Sequence, residues 1–457
     1  MDVGRLGNGR LAAAAVGTAT IALRLPRAFG NSLWQDEVAS ARILREPSFT
    51  GMLRHVTRTE STPPLWYALA WLVHHAGVSI HDTRLLSVAF DGVLAAAVVL
   101  LAWRLVTPVL ATLAGVLVAV GGQLAAHGRE LRAYELLALL AVLFAAALGR
   151  AARRQSTGRL AQLGAVAAAG GLTHYFFFFT AAAGLGWVWL AGLPRAARLR
   201  VSAAIVLGLA ACAVWLPQFL AQYRANRYGW IGPFQARAVL STPLRLFTPF
   251  LAGDAALVAA VAVAAALVTG SVLLWRRGGG LYAALAVGPL AAAALVWLAG
   301  IRVYATRNLI EVAPFAAIAL VAALGALPRR VTATAAVGLA ALAVGSYGWN
   351  QFRPSTSYAA IADALVDKGW QPRDPVAVFG GFYDYRSPLE WYLPHAPRFV
   401  RGSDRTRVRS VVFVIAPGRR RGGIVVQRVR LDGSIGRDRR LREATILDPL
   451  ATPAKGA

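Results

Sequence analysis

Asp36 and Glu37 are adjacent carboxylates that follow almost directly on the first long apolar segment of the chain. Most of the chain's charge otherwise lies outside its apolar runs. Acids at a membrane surface are costly to dehydrate, and they commonly mark a membrane-embedded functional cleft. A carboxylate within hydrogen-bond reach of a hydroxyl can take its proton as the oxygen attacks an electrophile. With two adjacent acids, one can hold the acceptor while the other takes the proton. Successive side chains diverge in direction on a helix or a strand, so the two need not share a role. The plainer alternative is an acid pair that complements a helix N-terminus. A further acid, Glu60, precedes Ser61-Thr62-Pro63-Pro64 and the apolar Leu65-Trp66-Tyr67. The paired prolines set a rigid helix entry.

The elements that must position these acids are membrane helices. The 457-residue chain is 57% hydrophobic, with a mean hydropathy of +0.54. That places it among polytopic membrane proteins. Apolar segments fall near 11–29, 85–105, 108–126, 133–149, 160–173, 175–192, 201–220, 255–275, 281–300, 308–326 and 331–348, which gives about 11 transmembrane helices. The net charge of +27 comes almost entirely from Arg, which clusters in short loops between these segments at Arg150 to Arg154, Arg195 to Arg200, Arg276-Arg277 and Arg329-Arg330. Such loops are topogenic and cytoplasmic, and they argue against nucleic acid as a partner. With a cytoplasmic N-terminus, the loop bearing Asp36, Glu37 and Glu60 lies on the outer face. The segment 64–78 is about 15 residues long, short for a crossing, and reads as an interfacial or re-entrant helix. Cys212 stands alone, so there is no disulfide framework and no cysteine metal site.

Residues 1–349, including the outer loop 30–84, read as the membrane domain. Residues 350–457 read as a small extracytoplasmic α/β appendage, with a helix at 358–368, strands at 376–379, 410–415 and 423–431, and a disordered end from Asp448. Its Arg residues include Arg398, Arg401, Arg405, Arg407, Arg409 and Arg419 to Arg421.

Further chemistry-bearing residues cluster at other outer turns. Glu130-Leu131-Arg132-Ala133-Tyr134 lies between two apolar segments, His174-Tyr175 marks another turn, and Arg307-Asn308-Leu309-Ile310 precedes the segment with Glu311 and Pro314. Taken in order with the Asp-Glu pair and the Pro-Pro-Leu-x-Tyr segment, the pattern resembles the GT-C membrane glycosyltransferases. It is most similar to the bacterial protein O-mannosyltransferase and aminoarabinose-transferase-like enzymes. The resemblance covers the whole membrane part. It departs from the family pattern at Thr62, where His is common, at Leu131, where a small residue is usual, and at Asn308, which replaces a Tyr.

The resemblance implies a multi-pass bacterial cell-membrane enzyme with an extracytoplasmic active site. Such an enzyme moves a sugar from a polyprenyl-phosphate donor to a hydroxyl on a lipid, glycan or protein acceptor, with inversion. It assigns Asp36 as the base, with Glu37 beside it in catalysis, and Glu60 as an acceptor-positioning acid. Arg132, Tyr134, His174 and Arg307 would contact the donor phosphate, where Arg can neutralise the leaving charge. No cofactor and no metal are expected. The aromatic and basic run from Tyr223 to Ile231 reads mainly as an interfacial belt. The competing class is a secondary transporter or lipid flippase, for which Asp91 and Glu311, acids inside apolar segments, would be the signal. Read structurally, Asp91 makes a helix-packing hydrogen bond and Glu311 an ion pair with Arg307 one turn away.

Overall fold

The computed structural model describes residues 3–225, 231–248, 253–352, 357–372, 374–378, 382–395, 398–401, 411–417, 424–430 and 444–447. The chain divides into two compact units. One comprises Met1–Leu25 with Ile43–Gln351, and the other Pro26–Arg42 with Phe352–Ala457. The stretch carrying Asp36 and Glu37 therefore groups with the C-terminal residues, although the sequence reading assigned loop 30–84 to the membrane part.

The chain begins with α1 (Val3–Gly30), α2 (Gln35–Leu44), α3 (Phe49–Thr59) and α4 (Leu65–His75). Ser48 caps α3, its Oγ accepting from the Gly51 amide at 3.1 Å. At 11 residues, α4 is about 16 Å long, half the depth of the hydrocarbon layer. The short-helix reading of segment 64–78 therefore holds. The helices that follow are α5 (Leu85–Ala102), α6 (Pro108–Val120), α7 (Gly122–His127), α8 (Tyr134–Arg153), α9 (Thr157–Thr173), α10 (Phe177–Leu190), α11 (Arg195–Ala210) and α12 (Leu216–Arg224). The first unit closes with α13 (Ala236–Phe247), α14 (Gly253–Leu274), α15 (Gly280–Leu298), α16 (Ala313–Leu324) and α17 (Arg329–Phe352).

Each of the eleven apolar segments is helical. Among the described residues, five helical stretches are long and apolar enough to cross a membrane: Asp82–Ala102, Tyr134–Arg153, Arg195–Arg224, Asp254–Leu298 and Thr306–Leu324. The fourth contains both α14 and α15, joined where Gly278 takes a φ of +82°, a left-handed turn that favours glycine. Two shorter apolar helices, α6 and α10, accompany them. Among the described residues, the eleven segments are thus eleven sites of helix formation.

Burial separates the helices. The apolar window of Thr306–Leu324 is 83% buried and that of Tyr134–Arg153 is 72% buried, against 22% for Arg195–Arg224. The core of the first unit therefore runs along α8 and α16, while α11 presents apolar side chains outward, as a lipid-facing helix does. Small residues let the core close up: a Cβ on Gly270 of α14 would run into the Ala319 carbonyl of α16.

The second unit contains α18 (Tyr358–Asp367), α19 (Phe382–Tyr392) and five strands: β1 (Pro375–Val378), β2 (Arg398–Arg401), β3 (Val411–Pro417), β4 (Ile424–Arg430) and β5 (Ala444–Leu447). The sheet order is β2-β1-β3-β4-β5, with β1 parallel to β2 and β3, and the β3-β4 and β4-β5 pairs antiparallel. The three strands and the helix at 358–368 expected from the sequence are present. Helix α19, β2 and β5 are additional. Tyr358, Ile361, Leu365, Trp370, Val376, Leu389 and Leu393 form its apolar core, and Trp34 packs against that core. Residues 405, 407, 409, 419–421 and 448–457, and positions 226–230 of the aromatic run from Tyr223 to Ile231, lie outside the described residues.

Candidate functional site

Five candidate residues belong to the first unit, where separate turns bring them together. Arg132 sits in the loop between α7 and α8. Its backbone is held from α5, where Ser87 Oγ donates to the Glu130 carbonyl at 2.7 Å and to the Arg132 carbonyl at 3.5 Å. The Arg132 guanidinium donates through one nitrogen to both oxygens of Glu60, at 3.2 and 3.1 Å, and to the Tyr67 hydroxyl at 3.2 Å. Glu60 and Arg132 are both buried. Burial raises the Tyr67 pKa well above the usual phenol range, and the neighbouring Arg132 only partly offsets this. Tyr67 is therefore a neutral donor at any working pH.

Glu130 is held by His127, whose Nδ1 lies 2.7 Å from its carboxylate. Burial pushes the Glu130 pKa up, but His127, Arg129 and Arg132 outweigh it and keep the carboxyl below its ordinary value. The Tyr134 ring starts α8. It lies 4.4 Å from the His127 ring and 6.0 Å from the His174 ring, centroid to centroid.

His174 ends α9. Its Nδ1 accepts the Phe176 amide at 3.2 Å, so the remaining ring proton sits on Nε2. Burial first, then the charges of Arg132 and Arg307, lower its pKa from 6.5 to about 3. Arg132 and Arg307 thus both act on one buried, neutral imidazole, although they are separated by most of the first unit in sequence. Arg307 lies in a short 3-10 turn, Thr306–Val312, that leads into α16. The sequence reading paired Glu311 with Arg307. Instead Glu311 is fully buried and both its carboxyl oxygens lack a hydrogen-bond partner. The 3-10 winding of this turn breaks the i, i+4 register on which that expectation rested.

Gln222 was missed by sequence reasoning. Its Nε2 donates to the carbonyls of Val56 and Thr62, at 3.2 Å each, and its Oε1 accepts from the Tyr175 hydroxyl at 2.6 Å. It therefore fixes the Glu60 strap and the His174 turn to one another. The only sequence signal was a polar amide just past an apolar segment. An apolar cavity of about 460 Å³ lies against the same turn, lined by Gly171, Tyr175, Cys212, Trp215 and Phe219 among others.

Asp91, read from the sequence as a helix-packing acid without a nearby charge partner, pairs with Arg24 of α1 at 2.7 Å. Both side chains are fully buried, and Arg24 also donates to the Ala119 carbonyl at 2.5 Å. Glu135 is buried within electrostatic reach of the pair. A Cβ on Gly128 would lie 2.5 Å from Asp91 Oδ2, so a glycine is required there. This pairing fits the helix-packing reading of Asp91.

Asp36 and Glu37 lie in the second unit, in the first turn of α2. Glu37 is buried, and its Oε2 accepts the Trp34 amide at 3.4 Å, closing the N-terminus of its own helix from the third position. This is the capping alternative raised by the sequence. Asp36 is half-buried, one position earlier. Among the described residues, no group of three or more His, Cys, Asp or Glu side chains is arranged to hold a metal.

No protein-family model and no curated protein sequence matches this chain. Solved structures do. ArnT from Cupriavidus metallidurans in the apo state aligns over 85% of this chain and 86% of its own, at 16% identity and a TM-score of 0.51. The same enzyme bound to undecaprenyl phosphate aligns over 88% and 87%, at 13% identity and a TM-score of 0.50. The oligosaccharyltransferase of Archaeoglobus fulgidus aligns over 86% of this chain and 62% of its own, at 14% identity and a TM-score of 0.47. In fold, this chain is similar to ArnT.

Proposed function

We propose that this protein is a membrane glycosyltransferase that moves a sugar from a polyprenyl-phosphate donor to a hydroxyl acceptor at the outer face of the cytoplasmic membrane. The observation that carries this reading is the buried His174 within electrostatic reach of both Arg132 and Arg307, in a chain whose fold is similar to ArnT. Two fixed cations in a dry setting suit a phosphate monoester that gains charge as it leaves. The imidazole Nε2–H and the Tyr67 hydroxyl are neutral donors that add no charge of their own. The apolar cavity beside the same turn suits the first isoprene units of the carrier.

In this mechanism the acceptor oxygen attacks the anomeric carbon while the bond from that carbon to the phosphate oxygen breaks. The carbon inverts, the polyprenyl phosphate leaves with the bonding pair, and Asp36 takes the acceptor proton. Glu37 holds the turn that presents Asp36. Glu60, bonded to Arg132, orients that guanidinium and stands beside the acceptor. The test is transfer of radiolabelled sugar from defined polyprenyl-phosphate sugars in vesicles containing the protein. Asp36→Asn should insert normally and lose at least 10²-fold in rate, within the usual range for a general base. Transfer by that variant at the wild-type rate would remove Asp36 from the mechanism.

A further inference from the structure

The acidic loop is built into the C-terminal unit by contacts on both sides of Asp36. Ser32 Oγ accepts the amide of Tyr358, the first residue of α18, at 2.9 Å. That amide is one of the helix donors with no partner inside the helix. The Leu33 amide donates to the Tyr392 hydroxyl at 2.6 Å, at the last residue of α19. Leu33 is fully buried, so this amide has no water to fall back on. Trp34 packs on the apolar core that α18 and α19 share. Beyond the acids, Arg42 Nη2 reaches Glu390 of α19 at 3.1 Å. That last pair is partly exposed and contributes little alone. Asp36 and Glu37 lie between these anchors, in the first turn of a helix that Glu37 itself closes. Fixing Ser32, Leu33 and Trp34 therefore fixes the backbone turn that carries Asp36.

From these contacts we infer that the C-terminal α/β unit is a positioning element of the reaction, with Tyr392 as its principal positioning residue. The inference rests on Asp36 being the base. The lipid-phosphate ligands Arg132, His174 and Arg307 belong to the other unit, so disturbing this tie should separate turnover from donor binding. A helix turn that loses its anchors samples wrong orientations, and misplacement by about 1 Å can cost on the order of 10²-fold in rate.

The experiment compares full-length wild type, Tyr392→Phe, Ser32→Ala and Asp36→Asn in vesicles. Steady-state transfer is measured along with amide hydrogen exchange over residues 31–38. Tyr392→Phe keeps the ring and removes the hydroxyl that accepts the Leu33 amide. The expected result is a kcat at least tenfold lower, a KM for the lipid-linked donor within twofold of wild type, and faster exchange confined to 31–38. Ser32→Ala should do the same more weakly, and it serves if Tyr392→Phe fails to accumulate. Unchanged kcat in both variants, or a raised KM at unchanged kcat, overturns the inference. If exchange accelerates as expected but Asp36→Asn still transfers sugar, the anchoring stands and the assignment of the base falls instead.

Discussion

Replacing Arg132 with Gln tests the phosphate site most directly, because the structure sets both a stability cost and an activity cost. One guanidinium nitrogen serves both oxygens of Glu60 and the Tyr67 hydroxyl. Removing it takes the Arg132 partner from a buried carboxylate. Breaking one side of a buried ion pair typically costs about 3–5 kcal/mol. Glu60→Gln should cost a similar amount, since it takes a carboxylate partner from a buried guanidinium. The double variant Glu60→Gln/Arg132→Gln places two neutral amides in the same space. It should recover to within about 1.5 kcal/mol of wild type, roughly the value of one ordinary hydrogen bond. The coupling between the positions is then about 4.5 kcal/mol or more. Activity should not follow stability. The double variant restores the fold but supplies no cation to the leaving phosphate, so transfer should stay at least 10²-fold below wild type. The assay pairs thermal unfolding in detergent with vesicle transfer on the same preparations. Strictly additive stability losses would refute the ion-pair reasoning. A double variant with wild-type transfer would refute the phosphate role of Arg132.

The other predictions are more compact. His174 has its pKa lowered from 6.5 to about 3, so between those values the unfolded chain binds the extra proton. Its contribution to stability is complete above about pH 6.5 and is lost as pH falls toward 3, at about 1.4 kcal/mol per pH unit; His174→Phe should flatten that slope in unfolding measured at pH 7.5 and 5. Glu37→Ala should lower stability by roughly 0.5–2 kcal/mol, the range for a lost cap, and keep transfer within about tenfold, whereas Asp36→Asn lowers it at least 10²-fold. Gly128→Ala should fail to accumulate in the membrane, because its Cβ collides with the Arg24–Asp91 pair; wild-type yield of that variant on immunoblots would show that this contact can relax. Treatment with a chelator such as EDTA should leave the transfer rate unchanged, and a loss restored by added divalent cation would show a metal requirement.

The fold was legible because membrane helices announce themselves by apolar length, and all eleven segments are helical. The shortness of α4 was also readable, from Pro63-Pro64 at one end and His74-His75 at the other. Contacts between distant turns could not be read, because they depend on how helices pack. Arg24 and Asp91 lie 67 positions apart, and nothing local marks them as partners. Gln222 looked like a chance polar residue, yet it joins the Glu60 strap to the His174 turn. The Glu311 expectation failed because it assumed α-helical register where the chain winds as a 3-10 turn. The grouping of Pro26–Arg42 with the C-terminal residues was hidden for the same reason: its contacts reach across more than 300 positions.

That sequence separation sets a schedule for biosynthesis. The Leu33 amide meets Tyr392, its partner 359 residues later. At ribosomal speeds of about 5–20 residues per second, roughly 20 to 70 seconds pass between making the two. The apolar segments can insert as they emerge, whereas the acid-bearing turn waits for the tail. A chain truncated by stalled translation or a late stop codon would therefore sit in the bilayer without its anchored acid, inert toward the carrier pool instead of active without control.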